Sequence, residues 1–500
     1  MEKNKNKKIR NHISIVAEQI GGGFAALAAV AFGILIQNAD ELMEVDFSFA
    51  EAGRGLMIVG GILLLFIAAA VKQIWTWSKT WIYIDGQTIV IERNTVNQKV
   101  NTIGIKNISN INTEQNLFEM IMGTCKIKID TSSLSTADQT DVKIVLKKAD
   151  AEAFRRTVAA LLKEAKGEAA EEGLSAVDDH GRQTFDVTAS TADILRHGFC
   201  SITVLSLVVV VVGVGGLIEV LSRLTEEGEV LKTAISSIVG ILAAFSFILS
   251  AIWDIVKDFI RYFDFGVKRR KDELYIRYGV LKKVEYTIPV DKIQALKIRQ
   301  TLIARAMGMC MAELINVGMG DDKSEKNSFF ILYGKKKDVE EKLEKLLPEF
   351  AGVVDAKVTR QPALALAVRA IPLVIYEAVL ILTAMGVVAF LEEYRMIVVA
   401  VAVFAGIFVP VLVLMDYLTA GIAVDERVLR TADGFFGKTL VAVRYDKIQY
   451  VELKQNLPAR LCGIQKGSFS LLAAVSMREH DIPYFRMNLE EKIKEKILGR

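Results

Sequence analysis

One segment of this chain is written three times, and that recurrence constrains the fold more than any single residue does. At 105–123 it reads IKNISNINTEQNLFEMIMG, at 290–308 VDKIQALKIRQTLIARAMG and at 445–463 YDKIQYVELKQNLPARLCG. Superposed without gaps, the copies keep Ile108/Ile293/Ile448, Gln115/Gln300/Gln455, Leu117/Leu302/Leu457 and Gly123/Gly308/Gly463 in column. The last two also share Asp291-Lys292-Ile293-Gln294 and Asp446-Lys447-Ile448-Gln449. Each copy lies downstream of two apolar runs and upstream of a strand-then-helix pattern. A repeat in a repeated context predicts one structural unit used three times.

What surrounds the copies is segregated. Hydrophobic residues make up 52% of the chain and charged residues 24%, with a mean hydropathy of +0.33. That pairing fits membrane segments alternating with soluble domains. A net charge of +3 implies no nucleic-acid partner. Cys125, Cys200, Cys310 and Cys462 form no CxxC and no cluster with histidine, so neither a metal site nor a disulfide framework is expected.

The apolar runs come in pairs. They cover Ile20–Ala39 and Gly55–Val71, Gly198–Ile218 and Thr233–Trp253, and Ala370–Leu391 and Met396–Met415. At about 20 residues each, they predict six membrane spans in three hairpins. The hairpin loops 37–53, 219–230 and 392–395 contain only Arg223 and Arg395 as basic residues, whereas Lys3 to Arg10, Lys72, Lys79, Lys268 to Lys271 and Arg369 lie on the other side. The positive-inside rule therefore predicts both termini and all soluble parts in the cytoplasm. Trp75, Trp77 and Trp81 read as an interfacial belt.

After each hairpin the period changes to two. Trp81–Gly86, Thr88–Arg93, Glu273–Gly279, Gly421–Asp425 and Val428–Arg430 alternate as half-buried strands do. Further strands are expected at Cys125–Asp130, Val142–Leu146, Phe329–Tyr333 and Tyr484–Met487. Amphipathic helices are expected at Ala149–Lys166, Lys337–Leu347 and Leu489–Leu498, with Phe154, Val158, Leu161 and Leu162 on one face. The organisation is a basic segment with hairpin 1 (1–76), domain 1 (77–166), a linker (167–190), hairpin 2 (191–256), domain 2 (257–350), a linker (351–362), hairpin 3 (363–418) and domain 3 (419–500). The fold class is membrane α plus α+β, with strand-rich domains each capped by a C-terminal helix.

Paired apolar runs, an aromatic exit, a YIDG-type strand turn, the D-K-I-Q segment and the Q-x7-G column together resemble the bacterial membrane-flanked domain, a PH-like fold. The triplication resembles the YdbT-like PH-domain membrane proteins. The resemblance is most specific at Trp77–Gly123, Tyr275–Gly308 and Gly434–Gly463. Unit one departs from it, with Lys106-Asn107-Ile108-Ser109. It implies PH-like β-barrels or sandwiches, no cofactor and no catalytic machinery. It also implies a multi-pass bacterial plasma-membrane protein in cell-envelope maintenance or antimicrobial-peptide tolerance. Its expected partners are the bilayer and a smaller one-unit relative, in homo- or hetero-oligomers.

Two readings stand for each candidate residue. Gln115, Gln300 and Gln455 could bind a ligand or a partner's backbone, or satisfy their own domain's backbone, and the last is favoured because buried polar groups are paired. Asp291-Lys292 and Asp446-Lys447 could bind, or could start a helical turn with the Asp as cap. Glu377, eight residues after Arg369, is either an intramembrane carboxylate facing a bundle interior or an interfacial one. The basic run Lys268 to Lys271 could meet anionic headgroups or be ordinary positive-inside charge. His12, His180, His197 and His480 stand singly, and no HExxH, GxSxG or P-loop occurs, so no enzyme is expected.

Overall fold

The computed structural model describes residues 8–37, 49–131, 142–166, 185–203, 249, 253, 256–317, 328–355, 357–473 and 478–498. They fall into two compact units. The first is drawn from Met1–Ser133, Thr140–Gln183 and Leu281–Glu285, and the second from Leu134–Gln139, Thr184–Val280 and Tyr286–Arg500.

In the first unit Ile9 bridges Ile82 through two backbone hydrogen bonds of 2.8 Å before the chain enters α1 (Ser14–Gln37) and α2 (Phe49–Ser78). Three antiparallel strands follow: β1 (Thr80–Asp85), β2 (Thr88–Asn94) and β3 (Gln98–Gly104). A second antiparallel ladder holds β4 (Ile108–Gln115), β5 (Thr124–Thr131) and β6 (Val142–Lys147), with the one-turn helix α3 (Leu117–Ile121) between β4 and β5. Within this unit residues 283–285 pair on the free side of β4, Lys283 opposite Gln115. The helix α4 (Lys148–Lys166) closes the domain. Ile82 and Ile89 from one sheet meet Ile127, Ile129 and Ile144 from the other, and Ala151, Phe154 and Val158 of α4 complete the core. The β-branched isoleucines fit a pleated surface. The 3.6-residue stripe of α4 covers it, as its spacing predicts.

The second unit contains the same order twice. β7 (Val187–Thr188) precedes α5 (Thr191–Ser201), and residues 256–262 are helical. β7, β8 (Gly266–Arg270) and β9 (Glu273–Tyr278) are successive neighbours, and the next strand in the chain is β10 (Lys283–Pro289), of which residues 286–289 belong to this unit. Then come β11 (Ile293–Gln300), α6 (Leu302–Ala306), β12 (Met309–Asn316), β13 (Ser328–Lys335) and α7 (Lys336–Leu346). The third copy comprises β14 (Thr359–Arg360), α8 (Leu364–Phe390), α9 (Arg395–Thr419), β15 (Gly421–Val424), β16 (Val428–Asp433) and β17 (Lys438–Arg444). It ends with β18 (Ile448–Lys454), α10 (Leu457–Leu461), β19 (Ile464–Leu471), β20 (Glu479–Arg486) and α11 (Asn488–Leu498).

These two copies share a sheet. Its order is β13-β12-β11-β17-β16-β15-β14, joined where Leu296 lies opposite Ala442 and Gln300 opposite Lys438. The last three strands form a separate sheet, β18-β19-β20. A bulge recurs at one repeat position, between Ile108 and Asn110, Ile293 and Ala295, and Ile448 and Tyr450.

Several expectations change. Among the described residues three helical segments, not six, are long and apolar enough to cross a membrane: Gly60–Ser78, Leu364–Phe390 and Glu392–Thr419. Residues 204–248, which hold most of the second hairpin, lie outside the described residues. α1 starts six residues before the apolar run does, and α2 continues through Trp75 and Trp77 because no proline or cap residue interrupts it. Trp77 turns to the domain, where its indole N–H donates to the Asn11 carbonyl at 2.8 Å. Trp77 and Trp81 also carry the Arg10 guanidinium on their faces, at 5.5 and 4.1 Å. The linkers end sooner than expected, since β7 pairs with β8 and β14 with β15. Two-residue strands have no periodicity to reveal them. Asp291 and Asp446 are not caps: Pro289 and Arg444 hold those positions, and the aspartates lie inside 3₁₀ turns.

Candidate functional site

The Gln-x7-Gly column builds the same device in all three copies. After β4, β11 and β18 the residues Asn116, Thr301 and Asn456 adopt extended N-cap geometry. Their side chains accept from the backbone N–H of Glu119 at 2.8 Å, Ala304 at 3.2 Å and Ala459 at 3.0 Å, which starts a helix. One turn later Gly123, Gly308 and Gly463 stop it at φ of 65°, 67° and 64°, the left-handed region that glycine enters without penalty. The glutamine then reaches across the turn. Nε2 of Gln115 donates to the Thr124 carbonyl at 2.7 Å, that of Gln300 to Met309 at 2.7 Å and that of Gln455 to Ile464 at 3.0 Å. Each amide thus clamps the residue after the glycine, and the three clamps lie in separate repeats.

Each clamp also receives a helix that precedes its domain in the chain: α1, α5 or α8. In the first copy Asn116 donates to Glu18 of α1 at 2.9 Å, and Lys126 sits 3.5 Å from Glu18 and 3.4 Å from Glu119. Burial raises the Glu119 carboxyl above its ordinary range. Glu18 and Lys126 line a cleft of about 510 Å³ together with Gln19, Gln73, Trp77 and Arg93. In the second copy the Thr301 hydroxyl donates to the Cys200 carbonyl of α5, and Cys200 packs with Ala304, Met309, Met311 and Tyr333. In the third, Ala365 and Val368 of α8 pack with Ala459, Ile464 and Tyr484.

The one-turn helices present apolar side chains to solvent. Leu117, Leu302 and Leu457, the third column of the repeat, are 51%, 36% and 71% exposed, and Ile121 and Leu461 reach 76% and 82%. The leucine column was visible in the sequence without a role attached to it. Its fixed register between the glutamine and the glycine of the repeat was the available signal.

His197 is a residue that sequence reasoning left single. α5 buries it in the second unit, where its Nδ1 accepts the Tyr333 N–H at 3.2 Å and its ring lies 4.8 Å from Tyr262 and 5.9 Å from Phe329. Desolvation, with the Arg261 charge, lowers its pKa to about 3. It is a neutral core residue at physiological pH.

Of the remaining candidates, one pair from different repeats meets and the others stand apart. Lys447 donates to the Asp291 carbonyl at 2.9 Å, while Lys292 lies 3.7 Å from the Asp291 carboxylate. Asp446 takes two hydrogen bonds of 2.9 Å from Arg444. Arg369 does not meet Glu377. It pairs with Asp416 of α9 and lies 5.9 Å from the Tyr484 ring centre. Glu377 falls midway along α8, with Oε2 3.1 Å from where a Cβ on Gly406 would stand. The missing side chain at 406 makes room for that carboxylate. Pro372 and Pro410 lie inside helices that continue through them.

Comparison with known proteins gives one family. The model described as a bacterial PH domain matches residues 24–162, 203–347 and 370–500. The transmembrane protein YdbT of Bacillus subtilis (strain 168) is 24% identical over 412 residues, which cover 79% of this chain and 80% of that protein. No solved structure matches the chain.

Proposed function

Because this chain belongs to the bacterial PH domain family, we propose that it is a non-enzymatic integral membrane protein whose three PH-like domains form a scaffold at the cytoplasmic face of the plasma membrane, serving envelope maintenance or antimicrobial-peptide tolerance. In this reading six spans cross the bilayer as three hairpins and both termini are cytoplasmic. The observation that carries it is the threefold joint of entry helix, clamp and exposed apolar turn. Each joint ties a domain to its own hairpin and turns Leu117, Leu302 or Leu457 outward beside the entering helix. A bilayer surface is the partner that covers such a turn. Three domains held at one surface raise the local concentration of any shared partner.

The test replaces Leu117 and Ile121 by Ser together and measures domain depth in reconstituted bilayers by collisional quenching of a probe on a cysteine placed at 118. Withdrawal of the probe by several ångströms, relative to a single-site Phe118 label, supports the reading. Equal aqueous quenching of both places the turn in water and removes the argument. Crosslinking from native membranes, with proteins and lipids identified by mass, then finds the shared partner. The expected partners include a smaller one-unit relative.

A second reading rests on Glu377. A carboxylate at mid-helix, packed against Gly406, is what a transporter component would carry. Glu377→Gln that abolishes envelope protection at normal protein level favours transport. Full protection in that variant, with loss on altering Gln300 or Gln455, favours the scaffold.

A further inference from the structure

We infer that the free edge of β18 accepts β3 of a second copy of this chain, in the register that joins the repeats internally. The template is present twice. β11 carries β17 on its free side, with Ala295 opposite Val443, Lys297 opposite Val441 and Gln300 opposite Lys438. Inside the first unit β4 carries residues 283–285 in the equivalent register, Gln115 opposite Lys283. The repeat alignment makes β18 the counterpart of β4 and β11, and β3 the counterpart of β10 and β17. Among the described residues β18 pairs only with β19, and β3 only with β2.

Burial reports the difference. Ala295 and Leu296 are fully buried and Ala442 and Val443 likewise, whereas Tyr450 on β18 is 58% exposed and Val100 on β3 is 60% exposed. The closing helix does not block this edge, because α4 and α7 occupy the same place in copies whose β4 and β11 are paired. An uncovered strand edge with apolar side chains is a template for pairing, and the bulge of β18 falls at the same repeat position as that of β11. The transferred register puts Tyr450 opposite Ile103, Val451 opposite Thr102, Glu452 opposite Asn101, Leu453 opposite Val100 and Gln455 opposite Gln98. Lys454 meets Lys99, but it is already bridged to Glu452 at 2.9 Å. The two edges differ, so the contact is head to tail and adds chains in a row or closes a ring.

Paired cysteines test it in the full chain, in native membranes, with Cys125, Cys200, Cys310 and Cys462 replaced by Ala. Val100→Cys with Leu453→Cys in one chain should give a reducible ladder of dimers, trimers and larger species on oxidation. Co-expressed single variants should give dimers and nothing larger, and neither alone should crosslink. Val100→Cys with Glu452→Cys, on opposite faces, should fall at least tenfold below the in-register pair. Four outcomes overturn the proposal: an intrachain disulfide in place of the ladder, equal yield from the off-register pair, self-crosslinking of one single variant, or an adduct whose mass is that of another protein. Tyr450→Lys with Val100→Lys should leave thermal unfolding unchanged while reducing the mass of the assembly to one chain. Unchanged mass overturns the proposal as well.

Discussion

Replacing Gln300 by Ala removes the donor that holds the Met309 carbonyl at 2.7 Å. Met309 is 8% exposed, so water does not readily replace the lost N–H, and an orphaned buried carbonyl costs about 1–3 kcal/mol. At about 1.4 kcal/mol per factor of ten, local opening of the α6–β12 turn should rise roughly 5- to 150-fold. Cys310 reports it, being the next residue on β12 and 1% exposed, with burial pushing its thiol up to about 12. Maleimide labelling of Cys310, in full-length protein with the other cysteines replaced by Ala, should accelerate by that factor while the Thr301 cap remains. Gln300→Glu is the sharper variant. An ionised carboxylate cannot donate and faces a carbonyl oxygen, so labelling should exceed that of Gln300→Ala and fall as acidification restores a donor. Unchanged labelling in both variants would refute the clamp as a stabilising element.

Two further perturbations follow from the same geometry. His197 has its folded pKa depressed below the unfolded value, so the unfolded chain binds the extra proton. Its stability contribution is complete above about pH 6.5 and is lost towards about 3, at roughly 1.4 kcal/mol per pH unit. Thermal melting in nanodiscs should therefore fall from pH 7 to pH 5 and fall less in His197→Phe, and parallel pH profiles would contradict the assignment. Gly463→Ala meets no neighbouring atom within 4 Å, so its cost is the left-handed backbone alone, about 1–2 kcal/mol. Urea titration should show that loss equally in Gly123→Ala and Gly308→Ala, and a null effect in all three would argue against a conformational requirement.

The repeat, the alternation of apolar runs with period-two strands, and the closing helices can all be read from the residues. Those features are local: Phe154 and Val158 face one core because they lie four residues apart on a helix. The amide of Gln115 was legible as a recurring polar position near a bend, since the residues that define the turn, Asn116 and Gly123, lie within eight positions of it. What the turn holds together emerges from the packing. Gln115 holds the Thr124 carbonyl nine residues on, Asn116 reaches the Glu18 side chain 98 residues away, and Leu117 is left exposed, and none of these is written in the letters. The edge strands β7 and β14 were invisible for the same reason: two residues carry no pattern, and a backbone ladder is indifferent to side-chain identity. The join of β11 to β17, which makes one sheet of two repeats, belongs to that class too. Hydrogen bonds between main chains leave no signature in the letters, so which edges are paired and which stand open is settled only by where the fold places them.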